Sequence, residues 1–582
     1  MNLYVLSLVG IFALTSCSGT PKHGNNATEI TLTHESGETP SQSTLTPSGG
    51  TLPTRESPTH SPRSKTPSLT RDAALIRSQQ IAQVSYSLWF SLGTENPDFL
   101  GRTTIRFELK PKADERSGVI PIDFEGGTLR SVTLNGTPLL DLEHPDRYNG
   151  HQLFLKTSEL ANHSNRVDIS YIQRYSKNGN GLYRFKDPVD DEIYLYSNFE
   201  PYNAHRVFPC FDQPDLKATY ELTVEAPKDW EVISNTLERE TSAIDGRNSW
   251  AFPVTPRFST YVFALHAGPY KSWKADADGI PLRLFARQSM AKYVDDREWL
   301  KVTEEGLNFY GVQFGYPYPF SKYDQIIVPD FNSGAMENVG AVTFSERFIY
   351  RTHVTVAERR RRADVILHEM AHMWFGDLVT MRWWNGLWLN ESFATFAASW
   401  ALDKATQFPD VWTSFFADAK QSAYREDQLV TTHPIELPIL DTDHAEANFD
   451  SITYDKGASV LKQLSFYLGE TDFREGLQRY FQKYAFRNST LADFIHMLAE
   501  ASSENLSQWQ QSWIQTQGVN TVKANWECQS NPDTGKSTVS KFELLQTAPD
   551  EGTSGSAQKN SKNILRAHRT QVALFNFPKN KT

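Results

Sequence analysis

The chain has 582 residues, with 58 Lys and Arg against 69 Asp and Glu and a formal net charge of −11. At about 150 residues per domain this length holds three or four domains, and 39% hydrophobic with 22% charged residues excludes a chain disordered throughout. The acidic balance argues against a nucleic-acid partner. Three cysteines without close spacing exclude a disulfide framework and a cysteine-based zinc site, so any metal must be held by His and carboxylates.

In chain order, residues 1–17 carry an apolar run from Leu3 to Leu14 ahead of Leu14-Thr15-Ser16-Cys17. The run is too short to span a bilayer and suits a signal-peptide core. Its end resembles a bacterial lipobox with Cys17 as the lipidated residue, although no Lys or Arg precedes the run. Residues 18–70 are mostly Ser, Thr, Pro and Gly and read as a flexible tether, because they bury too little to offset their ordering entropy. The order of lipid, tether and globular body predicts a protein of the bacterial cell envelope, anchored to the membrane by lipid. Ser18 rather than Asp after the cysteine points to the outer membrane.

Residues 71–273 read as an antiparallel β domain. Val84–Phe90, Thr103–Leu109 and Leu129–Leu134 alternate with period two, the last running into the turn signal Asn135-Gly136. Residues 274–520 turn helical from about Val294 to Gln515, and 521–582 return to short alternating runs such as Phe542–Leu545 and Gln571–Phe575.

The helical region carries the chemistry. In Val365-Ile366-Leu367-His368-Glu369-Met370-Ala371-His372-Met373-Trp374 the two histidines stand four apart, on one helix face about a turn apart. The apolar neighbours predict a mostly buried helix, where unpaired imidazole and carboxylate are costly. Glu391 follows His372 after eighteen intervening residues, a span that lets the chain reverse and a second helix present Glu391 to the same ion. Two neutral imidazoles and one carboxylate suit a tetrahedral Zn2+, one per chain, with its fourth position open to water. Such a site lowers the pKa of bound water towards about 7. Glu369 points to a different side of the helix, where it is placed to act as general base. Upstream, Phe331–Ala341 reads as a strand entered through small residues. There Gly334 and Ala335 leave the backbone open to an extended peptide, and Glu337 is placed to meet a substrate ammonium.

With Gly334-Ala335-Met336-Glu337-Asn338, the two histidines and Glu391 in place, the chain closely resembles the aminopeptidase N family of gluzincin metallopeptidases. Further motifs carry the likeness: Phe199-Glu200-Pro201-Tyr202, Phe208–Asp212, Thr255–Tyr261 and Phe449–Gly457. The resemblance covers roughly Ala73 to the C-terminus. It implies a multidomain α+β protein with an N-terminal antiparallel β domain, a thermolysin-like, mostly α catalytic domain and a partial C-terminal β-sandwich. It further implies that Glu337 binds the free α-amino group of a peptide with help from Glu200, and that Tyr454 donates its hydroxyl to the oxyanion. Gly334 and Ala335 would align the peptide backbone, Met336 would border the first side-chain pocket, and Asn338 completes the substrate-binding motif. Family members continue with a full small β-sandwich and a large helical domain, so the stretch 521–582 is expected to be an incomplete sandwich, from a truncated chain, one completed by a partner, or one that works with an open cleft. The function expected is removal of N-terminal residues from peptides. The alternatives are another hydrolysis at the same zinc site, as in an endopeptidase or epoxide hydrolase, and an inactive peptide-binding lipoprotein.

Other residues receive plainer expectations. Arg359–Arg362 read as a solvated helical face. Asp377 is either solvated or a partner that orients a ligand histidine. Cys210 and Cys528 are expected buried or unpaired, and the glycosylation match at Asn390-Glu391-Ser392 is read as false because Glu391 must face the metal.

Overall fold

The computed structural model describes residues 2–7, 10–14, 68–111, 118–530, 532, 537–548 and 565–575. The chain divides into two compact units. The larger comprises Ser68–Val522 with Gln546–Arg569, and the smaller comprises Met1–Pro67, Lys523–Leu545 and Thr570–Thr582.

The larger unit opens with helix α1 (Arg71–Gln80), capped by the Thr70 hydroxyl, which accepts from the Ala73 N–H. Leu69 and Thr70 depart from the tether expectation. Leu69 is apolar and buried, and its N–H donates to Thr442 Oγ1 at 3.0 Å. An eight-stranded sheet follows, with Ile81–Ser91, Asp98–Leu109 and Ser164–Arg174 at its centre. Its pairs are antiparallel except Thr219–Pro227, which runs parallel to Ile81–Ser91. Asp98–Leu109 buries alternate residues, among them Phe99, Ile105 and Phe107, as the period-two reading requires. The Asn135-Gly136 turn has φ of 52° and 84°, the left-handed pair that suits a two-residue hairpin, and Leu134 pairs with Thr137 across it. A second, four-stranded antiparallel sheet contains Ile193–Asn198 and Leu265–Gly268.

The passage into the next layer falls between Gly268 and Lys271, where a five-stranded mixed sheet begins with Lys271–Ala277. Its far edge is the two-residue strand Ala335–Met336, antiparallel to Ala341–Ser345. Three long helices accompany this sheet: α2 (Asp296–Gln313), α3 (Val356–Ala371) and α4 (Trp388–Ala405). Helix α3 starts with a capping box, since Glu358 N–H donates to Thr355 Oγ1 at 3.2 Å and Thr355 N–H to Glu358 Oε2 at 2.8 Å. The expectation of a solvated arginine face on α3 is corrected for Arg362, while Arg359 stays partly exposed. Arg362 is buried and donates to Glu298 Oε2 at 2.5 Å, and Arg359 holds the other oxygen of the same carboxylate. The helical region runs on to Ser507–Trp513.

The strand Thr521–Ser530 pairs with Ser537–Thr547. In the smaller unit Asn2–Ser7, Gly10–Leu14 and Ala573–Phe575 form a three-stranded antiparallel sheet. Cys17 and the expected tether up to residue 67 lie outside the described residues. Cys210 is buried and free. An N-terminal β-rich domain, a helical domain and extra strands towards the C-terminus make the architecture multidomain α+β. Among the described residues no helix is long and apolar enough to cross a membrane.

Candidate metal centre and substrate cavity

Helix α3 ends at Ala371 with His372 as its C-cap, so His368 and His372 leave the last turn of the helix side by side. The chain then reverses through Phe375, whose ring stacks on Phe393 of α4 with centroids 4.1 Å apart. That contact seats the first turn of α4, and with it Glu391, against the end of α3.

Three donor atoms converge there. His368 Nε2 and His372 Nε2 lie 3.1 Å apart, and Glu391 Oε2 stands 3.3 Å from the first and 3.5 Å from the second. Ligands about 2.0–2.1 Å from one tetrahedral ion stand about 3.3 Å from each other, so this triangle fits a single divalent cation. The outer ring nitrogens agree. His372 Nδ1 meets the Phe375 carbonyl at 2.9 Å, and because a carbonyl only accepts, Nδ1 carries the proton and leaves Nε2 its lone pair. His368 Nδ1 meets the Thr395 hydroxyl at 3.4 Å, one turn beyond Glu391 on α4.

Beside this triangle lies an acidic corner. Single carboxylate oxygens of Glu200, Glu337 and Glu391 fall within 4.8 Å of one another, as do ligand atoms of Glu337, Glu369 and His372. Glu200 enters from the turn after Ile193–Asn198, and Glu337 follows the edge strand Ala335–Met336. Oε1 of each is buried without a hydrogen-bond partner. Burial pushes the Glu337 carboxyl up to about 7, with His372 partly opposing and Glu391 adding to the rise. Burial and the neighbouring Glu337 hold Glu200 well above the usual carboxylate range, and Glu369 is raised chiefly by burial. Glu391 goes the other way: burial opposes, but His372 and His368 bring it down to about 2. Unpartnered carboxylates in a low-dielectric site are costly, and this cost is what raises Glu200 and Glu337 above the usual carboxylate range.

These groups line a cavity of about 590 Å³ together with Gly334, Ala335, Met336 and Tyr454. Tyr454 lies in a widened helical turn, Ile452–Lys456, directly before the helix Gly457–Leu468, and its ring stacks on His368 at 6.0 Å between centroids. The turn is fixed from two sides: Asp450 Oδ1 accepts from the Ile452 and Thr453 N–H groups, and Ser392 Oγ of α4 donates to Thr453 O at 2.6 Å. Asn198 also lines the cavity.

Two expectations are corrected. Asn338, read as substrate-binding, does not line the cavity; it is fully buried, and its amide donates to Thr343 Oγ1 at 3.0 Å, which fixes the loop behind Glu337. Asp377 is neither solvated nor the partner of a ligand histidine, because it is wholly buried and His372 Nδ1 goes to Phe375 O. Lys217 instead donates to the Asp377 and Leu378 carbonyls at 2.9 and 3.0 Å. Asn390 is buried with its amide donating to Tyr261 Oη at 3.1 Å, which agrees with reading its glycosylation match as false. Sequence reasoning missed Thr395 and the Phe375 carbonyl. The first had a signal, four residues after Glu391 on one helix face; a backbone acceptor has none.

The His–His–Glu triangle is a donor set for one divalent cation, and it lies beside a sheet edge and an acidic corner. The Peptidase family M1 domain matches residues 299–513 and the Peptidase M1 N-terminal domain matches residues 82–262, and the chain belongs to this family. Aminopeptidase N of Streptomyces lividans is 41% identical over 517 residues, covering 88% of this chain and 58% of that protein. The probable aminopeptidase 2 of Sulfurisphaera tokodaii is 34% identical over 408 residues, 69% of this chain and 50% of that protein. The tricorn protease-interacting factor F2 of Thermoplasma volcanium is 36% identical over 347 residues, 59% of this chain and 43% of that protein. The chain thus spans about half the length of the curated relatives it matches.

Proposed function

We propose that the chain is a zinc-dependent aminopeptidase that removes N-terminal residues from peptides. The observation that carries this reading is the meeting, within one cavity, of three convergent metal donors and two carboxylates, Glu200 and Glu337, each with one buried oxygen that has no hydrogen-bond partner. His368, His372 and Glu391 would hold the ion, and two nitrogens with one oxygen suit Zn2+ better than the all-oxygen preference of Ca2+ or Mg2+. When bound, zinc supplies Lewis-acid polarisation and water activation.

The chain's own residues do the rest. Glu337 and Glu200 grip the substrate's α-ammonium; an internal peptide nitrogen carries no charge and would leave both carboxylates unpaired, so the site selects chain ends. The Gly334–Ala335 backbone, on a free sheet edge, pairs with the extended peptide, and Met336 forms a wall for the first side chain. Glu369 takes a proton from the attacking water and passes it to the leaving amine, while the Tyr454 hydroxyl donates to the developing oxyanion.

Turnover of alanyl anilide by zinc-loaded protein tests this reading. Glu369→Gln is expected to lower kcat by about a thousandfold while zinc content stays at one per chain. N-acetylation of the substrate should abolish cleavage. Cleavage of blocked peptides would favour an endopeptidase, and binding without turnover in the zinc-loaded wild type would favour an inactive binding protein.

We further propose that the protein is lipid-anchored in the bacterial envelope, at the outer membrane, through Cys17. The support is the apolar run before Cys17 and the Ser/Thr/Pro-rich stretch after it. Mass spectrometry of the mature N-terminus should find an acylated Cys17, and Cys17→Ser should release the protein from membranes. An unmodified Cys17 in the mature protein, or full membrane retention of Cys17→Ser, would overturn the anchoring.

A further inference from the structure

The metal-centre cavity adjoins a second one of about 780 Å³, and the two share Asp364, Thr395 and Asp455 as lining. Two independent rulers lead from the reacting groups to the junction between them. Along α3, Arg361 precedes His368 by seven residues, two turns, so both lie on one face about 10 Å apart along the axis. Arg361 lines the second cavity and His368 the first. Along the edge strand, a peptide held by its ammonium at Glu337 passes Met336, Ala335 and then Gly334 at about 3.3 Å per residue, again about 10 Å. Beside Gly334 stands Arg347, whose guanidinium fills the space that a Cβ on Gly334 would need.

Both rulers therefore end on an arginine, and the two arginines are close enough to feel each other. Burial, and after it the charge of Arg361, lowers the Arg347 guanidinium from its ordinary value. Among the described residues neither guanidinium donates a hydrogen bond or forms an ion pair. Asp364 beside them is a weak counter-charge, because burial holds its carboxyl up to about 7. Two neighbouring guanidiniums with free N–H forks match a carboxylate, which accepts two parallel hydrogen bonds from one or bridges both.

We propose that Arg347 and Arg361 form a subsite for the C-terminal carboxylate of a free tri- or tetrapeptide. This rests on the aminopeptidase reading and deepens it. The substrate is gripped at both ends, ammonium at Glu337 and Glu200, carboxylate at the arginine pair, and the separation of the two grips selects short peptide acids.

The experiment compares tetra-alanine with tetra-alaninamide on the zinc-loaded full chain. The free acid is expected to have a kcat/KM about tenfold higher. In the double variant Arg347→Gln/Arg361→Gln, which alters two exposed side chains, that ratio should fall to near one. Equal kcat/KM for acid and amide in the wild type overturns the subsite while leaving the aminopeptidase standing, and so does a tenfold ratio that survives the double substitution. Failure to cleave even alanyl anilide sinks the aminopeptidase reading instead. Calorimetric titration of the same two peptides into the full chain then decides the subsite: about tenfold tighter binding of the acid, lost in the double variant, supports it, and equal affinities overturn it.

Discussion

At the metal centre the polar atoms of His368, His372 and Glu391 point at one another, whereas in the acidic corner the free oxygens of Glu200 and Glu337 point at no partner. The two groups share one cavity and Glu391 and Glu337 are both buried, yet the Glu391 carboxyl is brought down to about 2 and that of Glu337 is pushed up to about 7. The difference is the pair of imidazoles. Glu391 has basic neighbours placed at ligand distances by two helices, so its site is built before anything binds. Glu337 has burial and Glu391 against its charge, with His372 only partly opposing them, so on the proposed reading the compensating charge comes with the substrate. On that reading, one site would hold a resident cation and the other would read a passing one.

The sharpest way to break this comparison is to substitute one residue from each side. His372→Ala removes a ligand and should cost both the zinc and more than a thousandfold in kcat, because a two-ligand site no longer retains the ion. Glu337→Gln should keep one zinc per chain and lose about a hundredfold in kcat/KM, the scale of one charge-assisted hydrogen bond. Zinc analysis and anilide kinetics on the same samples check both. Loss of zinc from Glu337→Gln would mean that the corner belongs to the metal site.

The acidic corner also has a foundation that responds to pH. His205, in the turn just after Glu200, is buried between Asp212, with Nδ1 2.8 Å from Oδ2, and Glu125, 3.4 Å from Nε2. Burial works against its charge, but the hydrogen bonds to Asp212 and Glu125 raise it from 6.5 to about 9. A raised folded-state value means that the charged ring stabilises the fold. This contribution is complete below about pH 6.5 and disappears as pH rises through about 9, and its scale is about 3 kcal/mol. Urea unfolding at pH 6 and at pH 9.5 should show wild type losing most of that difference and His205→Gln losing little.

The two sides of the comparison were unequally legible in the sequence. The metal ligands follow from spacing: four residues put two imidazoles on one helix face, and eighteen more suffice for a reversal, which is the route the chain takes through Phe375. The corner is assembled from segments 137 positions apart, Glu200 on a turn of the β domain and Glu337 after an edge strand, and no local period relates them. Only the family resemblance linked them, as it did Tyr454, whose widened turn has no simple periodic signature. Strand patterns in the β domain were plain because one face is buried. Arg362 and Asp377 were misread for a common reason: a charged residue looks solvated in a sequence, and both are buried by distant elements, Arg362 against Glu298 and Asp377 near Lys217. Arg347 and Arg361 come together only through the fold.

Tyr454 and Glu391 are joined by a close approach that Gly457 permits. A Cβ at Gly457 would overlap Ser392 Oγ, next to Glu391 on α4, and that hydroxyl already bonds Thr453 O. Gly457→Ala must push the Tyr454 turn away from α4 or break that bond, at about 2 kcal/mol. The strain falls on the metal side, so zinc affinity and kcat should drop together while KM for free-amine substrates stays near wild type. A rise in KM alone would place the coupling in the corner instead.

The smallest expected effect tests whether helix α3 acts as a rigid carrier. Thr355 caps its start, while His368 and His372 sit at its end. Thr355→Ala leaves the Glu358 N–H without its acceptor and should lower stability by about 1 kcal/mol. Fraying of a first turn does not reach a last turn held by Phe375 O and by Tyr310, whose hydroxyl donates to Leu367 O at 2.9 Å. Zinc affinity should therefore equal that of wild type, as measured by competition with a chelator. A weaker zinc site in this variant would mean that the ligand geometry depends on the whole length of α3, and that the metal side of the cavity is less pre-built than its three short distances imply.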